Sequence, residues 1–240
     1  MMIFDIHAHI GDDKDGGRQS AKELLAHMDH NGVDMAAVFP FDEKEKNLIE
    51  ASLSLLNLNE KRFACFLRFD PNTTAPDTVS KHISRFKGVK LHPRSQNFDP
   101  IDKRYYPLYE EISKSGKPLL IHTKKGGRAP VFTDPDRIAS LADDFTDINI
   151  ILGHFADRSP AAVQKVKECE NLYLETSIDS FHPNGINKIY DIVGADKILF
   201  GSDAPYGDQE LELLKVMKTK LTYEEKSAVL YENAAKLLKL

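Results

Sequence analysis

The chain has 240 residues, of which 41% are hydrophobic and 29% charged, and its formal net charge is −5. This composition is typical of an ordinary globular protein, and the mixed charges include no basic stripe of the kind that binds nucleic acid. No apolar run reaches the length of a membrane span and no secretion signal is visible, so we expect a cytoplasmic protein with neither membrane nor nucleic-acid partners. Cys65 and Cys169 follow no spacing pattern, and we expect both to be reduced thiols.

The first element in chain order is the stretch FDIHAHIG at residues 4–11, which separates His7 and His9 by one residue. Alternate residues share one face of a strand, whereas they point to different sides of a helix. The spacing therefore predicts a strand that carries Asp5, His7 and His9 on one face, where both imidazoles can reach a single point.

Eight short apolar runs alternate with helix-periodic stretches along the chain. The runs cover residues 2–10, 33–40, 63–70, 88–93, 118–123, 148–155, 172–177 and 197–203. This alternation predicts an α/β fold with a parallel sheet. The count of eight and a length near the typical ~250 residues favour a (β/α)8 TIM barrel over a doubly wound open sheet. We expect a single domain over residues 1–240.

Helix-capping signals support this division. Ser20 is a predicted N-cap and Gly32 a predicted C-cap of the first helix. Ser159 is a predicted N-cap that is followed by Pro160 at the first helical position. A capping box at Thr222, with Glu225, opens a C-terminal helix that we expect to close the barrel.

Ionisable side chains fall at or near the ends of the apolar runs. They are His7, His9, Lys90, His92, His122, His154 and Asp203. The C-terminal ends of all strands meet at one mouth of a parallel barrel, and buried ionisable groups must be paired or bind metal. Five histidines and a carboxylate at one mouth therefore predict a divalent metal ion. Of the other histidines, His27, His30 and His82 lie on predicted helices as surface residues, and His182 is a candidate for the rim of the site.

The ordered motifs DIHAHIG, GVKLHP, LLIHT, ILGHF, ILFGSDAP and YENAAKLLKL resemble the amidohydrolase superfamily, specifically its amidohydrolase-2 branch, which contains aminocarboxymuconate-semialdehyde decarboxylase and related decarboxylases, lactonases and hydratases. The resemblance implies a set of four metal ligands. They are His7, His9, His122 and Asp203. It also implies that His154 is a catalytic group beside the metal. Zinc is the favoured ion, with manganese or iron as alternatives.

The resemblance also implies the chemistry. Metal-bound water would be the nucleophile, Asp203 would transfer its proton to the leaving group, and His154 would stabilise the developing oxyanion. We therefore expect a metal-dependent hydrolase that acts on an amide, lactone or ester of a small, carboxylated or cyclic compound. The alternative is a metal-dependent decarboxylase of the aminocarboxymuconate-semialdehyde type, in which His154 or Asp203 would move a proton to carbon.

Two further functions are less favoured. A TatD-like deoxyribonuclease would typically have a glutamate on the fourth strand, where this chain has GVKLHP, and the negative net charge does not attract a phosphodiester backbone. A non-catalytic binding barrel would have no need of the complete set of mouth residues.

Lys90 leaves two readings open. A carbamate on Lys90 would bridge two ions, with His122 and His154 on the second ion; otherwise Lys90 is a protonated amine that pairs with an Asp or with a substrate carboxylate. We favour the second reading and one ion. We also expect His92, Arg68 and Arg94 to contact a small-molecule substrate, the arginines through an anionic group. The sequence is compatible with a homo-oligomer but indicates no surface for it.

Overall fold

The computed structural model describes residues 1–14, 16–42, 47–177 and 183–240. In these residues nine strands form one curled sheet, in which eight strands run parallel and β2 pairs antiparallel with β1. The strands are β1 Phe4–Asp12, β2 Arg18–Gln19, β3 Met35–Pro40, β4 Phe63–Arg68, β5 Gly88–Leu91, β6 Leu119–Ile121, β7 Ile150–Leu152, β8 Leu172–Glu175 and β9 Ile198–Leu199. The parallel strands follow one another around the sheet in chain order.

The sheet closes on itself where the segment after β9 meets β1. The amide of Ile6 donates to the carbonyl of Phe200 at 2.9 Å, and the amide of His9 donates to the carbonyl of Ala204 at 2.8 Å. In the opposite direction, the amide of Asp203 donates to the carbonyl oxygen of a β1 residue, His7, at 2.7 Å. These bonds exclude a doubly wound open sheet and confirm the predicted (β/α)8 barrel.

Twelve α-helices lie in the described part of the chain. They are α1 Ala21–Asn31, α2 Leu48–Leu56, α3 Pro76–Ile83, α4 Pro93–Gln96, α5 Tyr106–Ser115, α6 Pro135–Ala139, α7 Leu141–Asp144, α8 Pro160–Glu168, α9 Pro183–Val193, α10 Gln209–Met217, α11 Tyr223–Ser227 and α12 Asn233–Leu238. Among the described residues, no helix combines the length and apolar character needed to span a bilayer. The outer faces of the strands and the apolar faces of the helices form the larger hydrophobic core.

The helix caps agree with most of the sequence signals. Ser20 forms a capping box with Glu23, and Gly32 ends α1 with φ of 67°. Ser159 is the N-cap residue of α8, as predicted, but its hydroxyl donates to Asp136 and does not cap the helix. Both cysteines are free.

The C-terminal segment closes the barrel at the end opposite the site. Thr222 and Glu225 form the predicted capping box at α11, which continues through a π-helical turn, Ala228–Glu232, into α12. Leu237 and Leu238 of α12 pack into the second core, which consists of inward-facing strand residues such as Phe4. The predicted closing helix is therefore present, with a π turn at its centre.

A β-bulge in β1 changes the predicted face of one residue. The pairing of β1 with β3 shifts register between Asp5 and Ala8. A bulge adds a residue to one strand and reverses the alternation of side chains beyond it. The prediction that Asp5 shares a face with His7 and His9 is therefore wrong, because Asp5 is buried between β1, Ser202 and α10.

Candidate metal centre

The strand ends surround a cavity of about 600 Å³. Its lining includes every side chain that the sequence places at the mouth: His7, His9, Lys90, His92, His122, His154 and Asp203, together with Arg68 and Arg94. The residues come from six different strands and the segments that follow them, so the barrel brings together groups as far apart in the chain as His7 and Asp203. Phe41 and Tyr206 add aromatic walls.

The tightest group of donor atoms consists of two imidazoles and one carboxylate. Nε2 of His7 lies 2.9 Å, and Nε2 of His9 3.0 Å, from Oδ1 of Asp203. All three side chains are buried. Burial lowers the pKa of His9 to about 3, so its imidazole is neutral at pH 7, as a ligand must be. These donors fit a divalent transition metal ion.

His122 has a free nitrogen beside this group. Its Nδ1 lies 2.7 Å from Nε2 of His154, and its ring stacks on His92 with centroids 3.8 Å apart. Its Nε2 is buried and has no hydrogen-bond partner among the described residues. A buried nitrogen without a partner is costly unless it binds a ligand, which suits a metal ligand. His122 does not belong to the three-residue group of closest donors, so its ligand role stays a prediction.

Glu175, at the end of β8, is a site residue that the sequence reasoning missed. Its fully buried carboxylate lies 2.9 Å from Nδ1 of His7 and accepts hydrogen bonds from the amides of His154, at 2.6 Å, and Ser177, at 2.7 Å. Burial opposes ionisation, but these contacts outweigh it and lower the pKa of Glu175 to about 2. A carboxylate at Nδ1 fixes the proton there and leaves Nε2 free for a metal.

Glu175 also belongs to a second group of close donor atoms, with His7 and His154. Its oxygens are already occupied by amide and hydroxyl donors, including the hydroxyl of Ser177 at 2.8 Å. We therefore interpret Glu175 as the group that orients His7. Gly201 makes room for it, because a Cβ at this position would lie 2.5 Å from Oε2 of Glu175.

His154 stands on an unusual turn. The five residues from His154 to Arg158 all have positive φ, between 46° and 58°. None is glycine, and the left-handed conformation costs roughly 1–2 kcal/mol per non-glycine residue. Such strain persists where the surrounding structure enforces it and is concentrated at functional sites. Burial lowers the pKa of His154 to about 4, so the imidazole that the turn presents is neutral.

Lys90 lies inside the barrel against the proposed ligands. Its Nζ is 2.9 Å from Nε2 of His7 and 4.9 Å from the ring centroid of Phe39. Burial lowers its pKa to about 7. Within the described part of the chain no ion pair joins Lys90 to a carboxylate, and the amine contacts His7, while the charges of Asp203 and Glu175 favour its protonated form. Its pairing with an Asp or with a substrate carboxylate stays a prediction.

Arg68 is a second buried basic side chain of the cavity, beside Lys90. Its Nη1 donates to the carbonyl of Pro40 at 2.8 Å and its Nη2 to the hydroxyl of Ser95 at 3.0 Å. Its Nε is buried without a partner in the described residues, and none of them forms an ion pair with the guanidinium. An unpaired buried charge is strongly unfavourable. This position suits an anionic ligand, and the contact of Arg68 with a substrate stays a prediction.

The remaining predicted contacts differ in their position. Arg94 is exposed at the rim of the cavity, and Nδ1 of His92 accepts a hydrogen bond from the amide of Ser95 at the start of α4. His27 and His30 lie on the surface of α1, as expected. His182 lies outside the described residues.

A closed barrel that gathers two histidines and an aspartate at its strand ends defines a metal-dependent barrel enzyme. The model of the amidohydrolase family (Amidohydro_2) matches residues 60–240. The chain belongs to this family, and it is an enzyme of the hydrolase or decarboxylase type with a divalent metal site. No curated protein matches the chain.

Solved structures share the fold over the whole chain. A 5-carboxyvanillate decarboxylase from Sphingomonas paucimobilis has a TM-score of 0.76 at 16% identity, covering 100% of this chain and 99% of the other. A dihydroxybenzoic acid decarboxylase from Polaromonas sp., solved with bound manganese and the inhibitor 2-nitroresorcinol, has a TM-score of 0.73 at 16% identity, covering 100% and 97%. A Pseudomonas putida protein provisionally assigned as a 2-pyrone-4,6-dicarboxylic acid hydrolase has a TM-score of 0.76 at 15% identity, covering 99% and 97%. These identities establish a common fold.

Proposed function

We propose that the protein is a divalent metal-dependent decarboxylase that acts on a small ring-containing acid with two acidic groups. The observation that carries this proposal is Arg68, a fully buried guanidinium in the same cavity as the His7, His9 and Asp203 cluster. A cation that the protein itself leaves unpaired is stabilised by an anionic substrate group through charge-assisted hydrogen bonds.

The number of acidic groups follows from the chemistry. A carboxylate that leaves as carbon dioxide must lose its charge, and a strong ion pair to that carboxylate would stabilise the substrate more than the transition state. Arg68 is therefore better suited to an acidic group that the product retains. The departing carboxylate would then be placed toward the histidine cluster. The walls formed by Phe41 and Tyr206 suit a flat ring.

The structural relatives favour decarboxylation over hydrolysis. Two of the three compared above are decarboxylases of ring acids, and one of them was solved with manganese. The bound manganese of that relative supports manganese, among the ions expected from the sequence, as a candidate beside zinc. We propose one ion, held by Nε2 of His7, His9 and His122 and by the carboxylate of Asp203, with an uncarbamylated Lys90, and one catalytic unit formed by residues 1–240.

The residues have separate roles in this proposal. The bound ion supplies a Lewis acid for a substrate oxygen. Arg68 holds the retained acidic group and orients the ring. The bond between the ring carbon and the carboxyl carbon breaks, carbon dioxide leaves, and the ring carbon receives one proton. Asp203 is the proposed proton carrier because its carboxylate lines the cavity; His154 is the other candidate.

Hydrolysis is the second candidate function. The fold shared with the protein assigned as a 2-pyrone-4,6-dicarboxylic acid hydrolase favours it, and a lactone dicarboxylic acid of this kind also carries acidic groups for Arg68. In that reaction Asp203 would accept the proton of the attacking water and His154 would stabilise the oxyanion.

A substrate panel separates the two reactions. Protein loaded with Mn²⁺ or Zn²⁺ would be incubated with 5-carboxyvanillate, with 2,6-dihydroxybenzoate and with 2-pyrone-4,6-dicarboxylate, while released carbon dioxide and ring absorbance are followed. We expect carbon dioxide from a ring acid, its loss on chelation of the metal, and at least a 100-fold lower kcat for Asp203→Asn. Hydrolysis of the pyrone with no carbon dioxide from any acid would replace the proposal by the second candidate. Turnover of none of them would contradict both substrate assignments.

A further inference from the structure

The helix that follows the Asp203 loop buries polar residues beside Val216 and exposes apolar ones. On α10, Gln209, Glu212 and Lys215 are buried against the barrel. Leu211, Leu214 and Met217 are exposed, at 44%, 41% and 46%. A surface helix normally turns its apolar side toward the core. Both the buried polar residues and the exposed apolar residues of α10 therefore require a physical reason.

The inward face is explained by contacts within the barrel. Nε2 of Gln209 donates to Oδ2 of Asp5 at 2.9 Å, which ties α10 to the start of β1. Nζ of Lys215 donates to the carbonyl of Thr176 at 3.2 Å and pairs with Glu212. The polar residues therefore satisfy buried groups beside the site. These contacts do not explain why the opposite side of the helix carries apolar residues.

The outward residues form one continuous face. At 100° per residue, Glu210, Leu211, Leu214 and Met217 fall within an arc of about 120° centred near Leu214, and Lys218 follows directly as the C-cap residue of α10. All five are exposed. We call these five residues the α10 face. Three large apolar side chains on one exposed helical stripe are typical of an interaction surface.

The order of residues on the α10 face indicates the occupant. The sequence is symmetric about Leu214 in residue type. Leu211 and Met217 each lie three residues from Leu214, and the acidic Glu210 and the basic Lys218 each lie four residues from it. An antiparallel copy of the same helix would therefore place apolar opposite apolar and Glu210 opposite Lys218. Such self-complementarity is what a two-fold symmetric contact requires.

We propose that a second copy of this chain packs against the α10 face, antiparallel, about a two-fold axis near Leu214. Leu214 meets its own symmetry mate at the centre, and the two pairs of Glu210 and Lys218 flank the apolar contact. The apolar surface continues at the C-terminal end of α10 into a cavity of about 440 Å³ lined by Met1, Met217 and Tyr223, among others. A stable dimer buries roughly 800 Å² of surface on each partner. One helix face provides less surface than this, so the adjoining apolar surface is needed to complete the contact. The proposal does not depend on the proposed function.

The first test measures mass in solution. Light scattering after gel filtration, over a concentration series, should give the mass of two chains for the wild type. Leu214→Glu should give one chain, or a dissociation constant raised at least 10-fold. Leu58→Glu is the matched control, because Leu58 is similarly exposed, at 44% against 41% for Leu214, but lies between α2 and β4. Thermal unfolding and metal content of each variant show whether it is folded.

The second test uses the predicted charge pairing. Glu210→Lys and Lys218→Glu, each alone, place like charges opposite one another and should weaken the dimer, whereas the double variant restores opposite charges and should restore the dimer. This recovery is specific to an antiparallel pairing of two copies of α10. A monomeric wild type, or a dimer unaffected by Leu214→Glu, would overturn the proposal. A dimer that Leu214→Glu dissociates but the double charge variant fails to recover would overturn the antiparallel register.

Discussion

Replacement of Glu175 by glutamine tests how the barrel prepares its metal ligands. The change keeps the shape of the side chain but leaves one acceptor oxygen where the carboxylate has two. Oε1 now faces Nδ1 of His7, at 2.9 Å, and the amide of His154, while Oε2 accepts from the amide of Ser177. Whichever way the glutamine amide turns, its NH2 group meets an N–H donor.

The expected magnitude follows from these contacts. Loss of a group that orients a metal-bound histidine typically lowers metal affinity by 10- to 100-fold, which corresponds to about 1.4–2.8 kcal/mol. The buried amide left without an acceptor should also lower the free energy of unfolding of the metal-free protein by about 1–3 kcal/mol.

Competition with a chromophoric chelator for Co²⁺ measures this affinity, and the visible absorption of bound Co²⁺ reports the ligand geometry. Glu170→Gln is the control, because Glu170 is exposed just before β8 and the charge change is the same. We expect weaker binding and an altered Co²⁺ spectrum for Glu175→Gln alone. Unchanged affinity and spectrum would refute the orienting role of Glu175.

Three further substitutions test separate parts of the account. Arg68→Met should raise KM for a diacid substrate about 30-fold or more and leave Mn²⁺ affinity unchanged in a binding titration; an unchanged KM would remove Arg68 from substrate binding. Gly201→Ala should lower both the melting temperature and metal affinity, because its Cβ would lie 2.5 Å from Oε2 of Glu175; wild-type values of both would contradict the close approach. Burial raises the pKa of Glu212 from 4.5 to about 7, so the folded state binds a proton more tightly and stability falls as pH rises through this interval. Glu212→Gln should therefore become more stable relative to wild type by about 1–3 kcal/mol across it, measured by urea unfolding; a difference that does not vary with pH would exclude this titration.

The sequence predicted the barrel and the membership of its mouth because both depend on local signals. Apolar runs with polar residues at their ends identify parallel strands and the edge at which they converge. His122 and His154 therefore come together from separate βα units, as predicted. The face of Asp5 was predicted wrongly, because a β-bulge depends on the register with β3 and leaves no clear mark in the sequence of one strand.

Other features depend on packing between distant elements. Glu175 ends the run LYLE, so its position at a strand end was a usable signal, but its contact with His7 appears only when β8 and β1 curve into one barrel. The left-handed turn from His154 to Arg158 contains no glycine, so the sequence carries no signal that predicts it. The orientation of α10 is equally hidden, because apolar residues occur on most of its circumference and only the buried partners of Gln209 and Lys215 decide which side faces inward.

The most direct test of the account is the position of the metal ion in a crystal of the protein grown or soaked with Mn²⁺. Anomalous scattering from manganese should give one peak per chain, within ordinary coordination distance of Nε2 of His7, His9 and His122 and of the carboxylate of Asp203, with no density for a carbamate on Lys90. A peak held by Glu175 and His154 instead, two peaks bridged through Lys90, or no peak at the mouth of the barrel would contradict it.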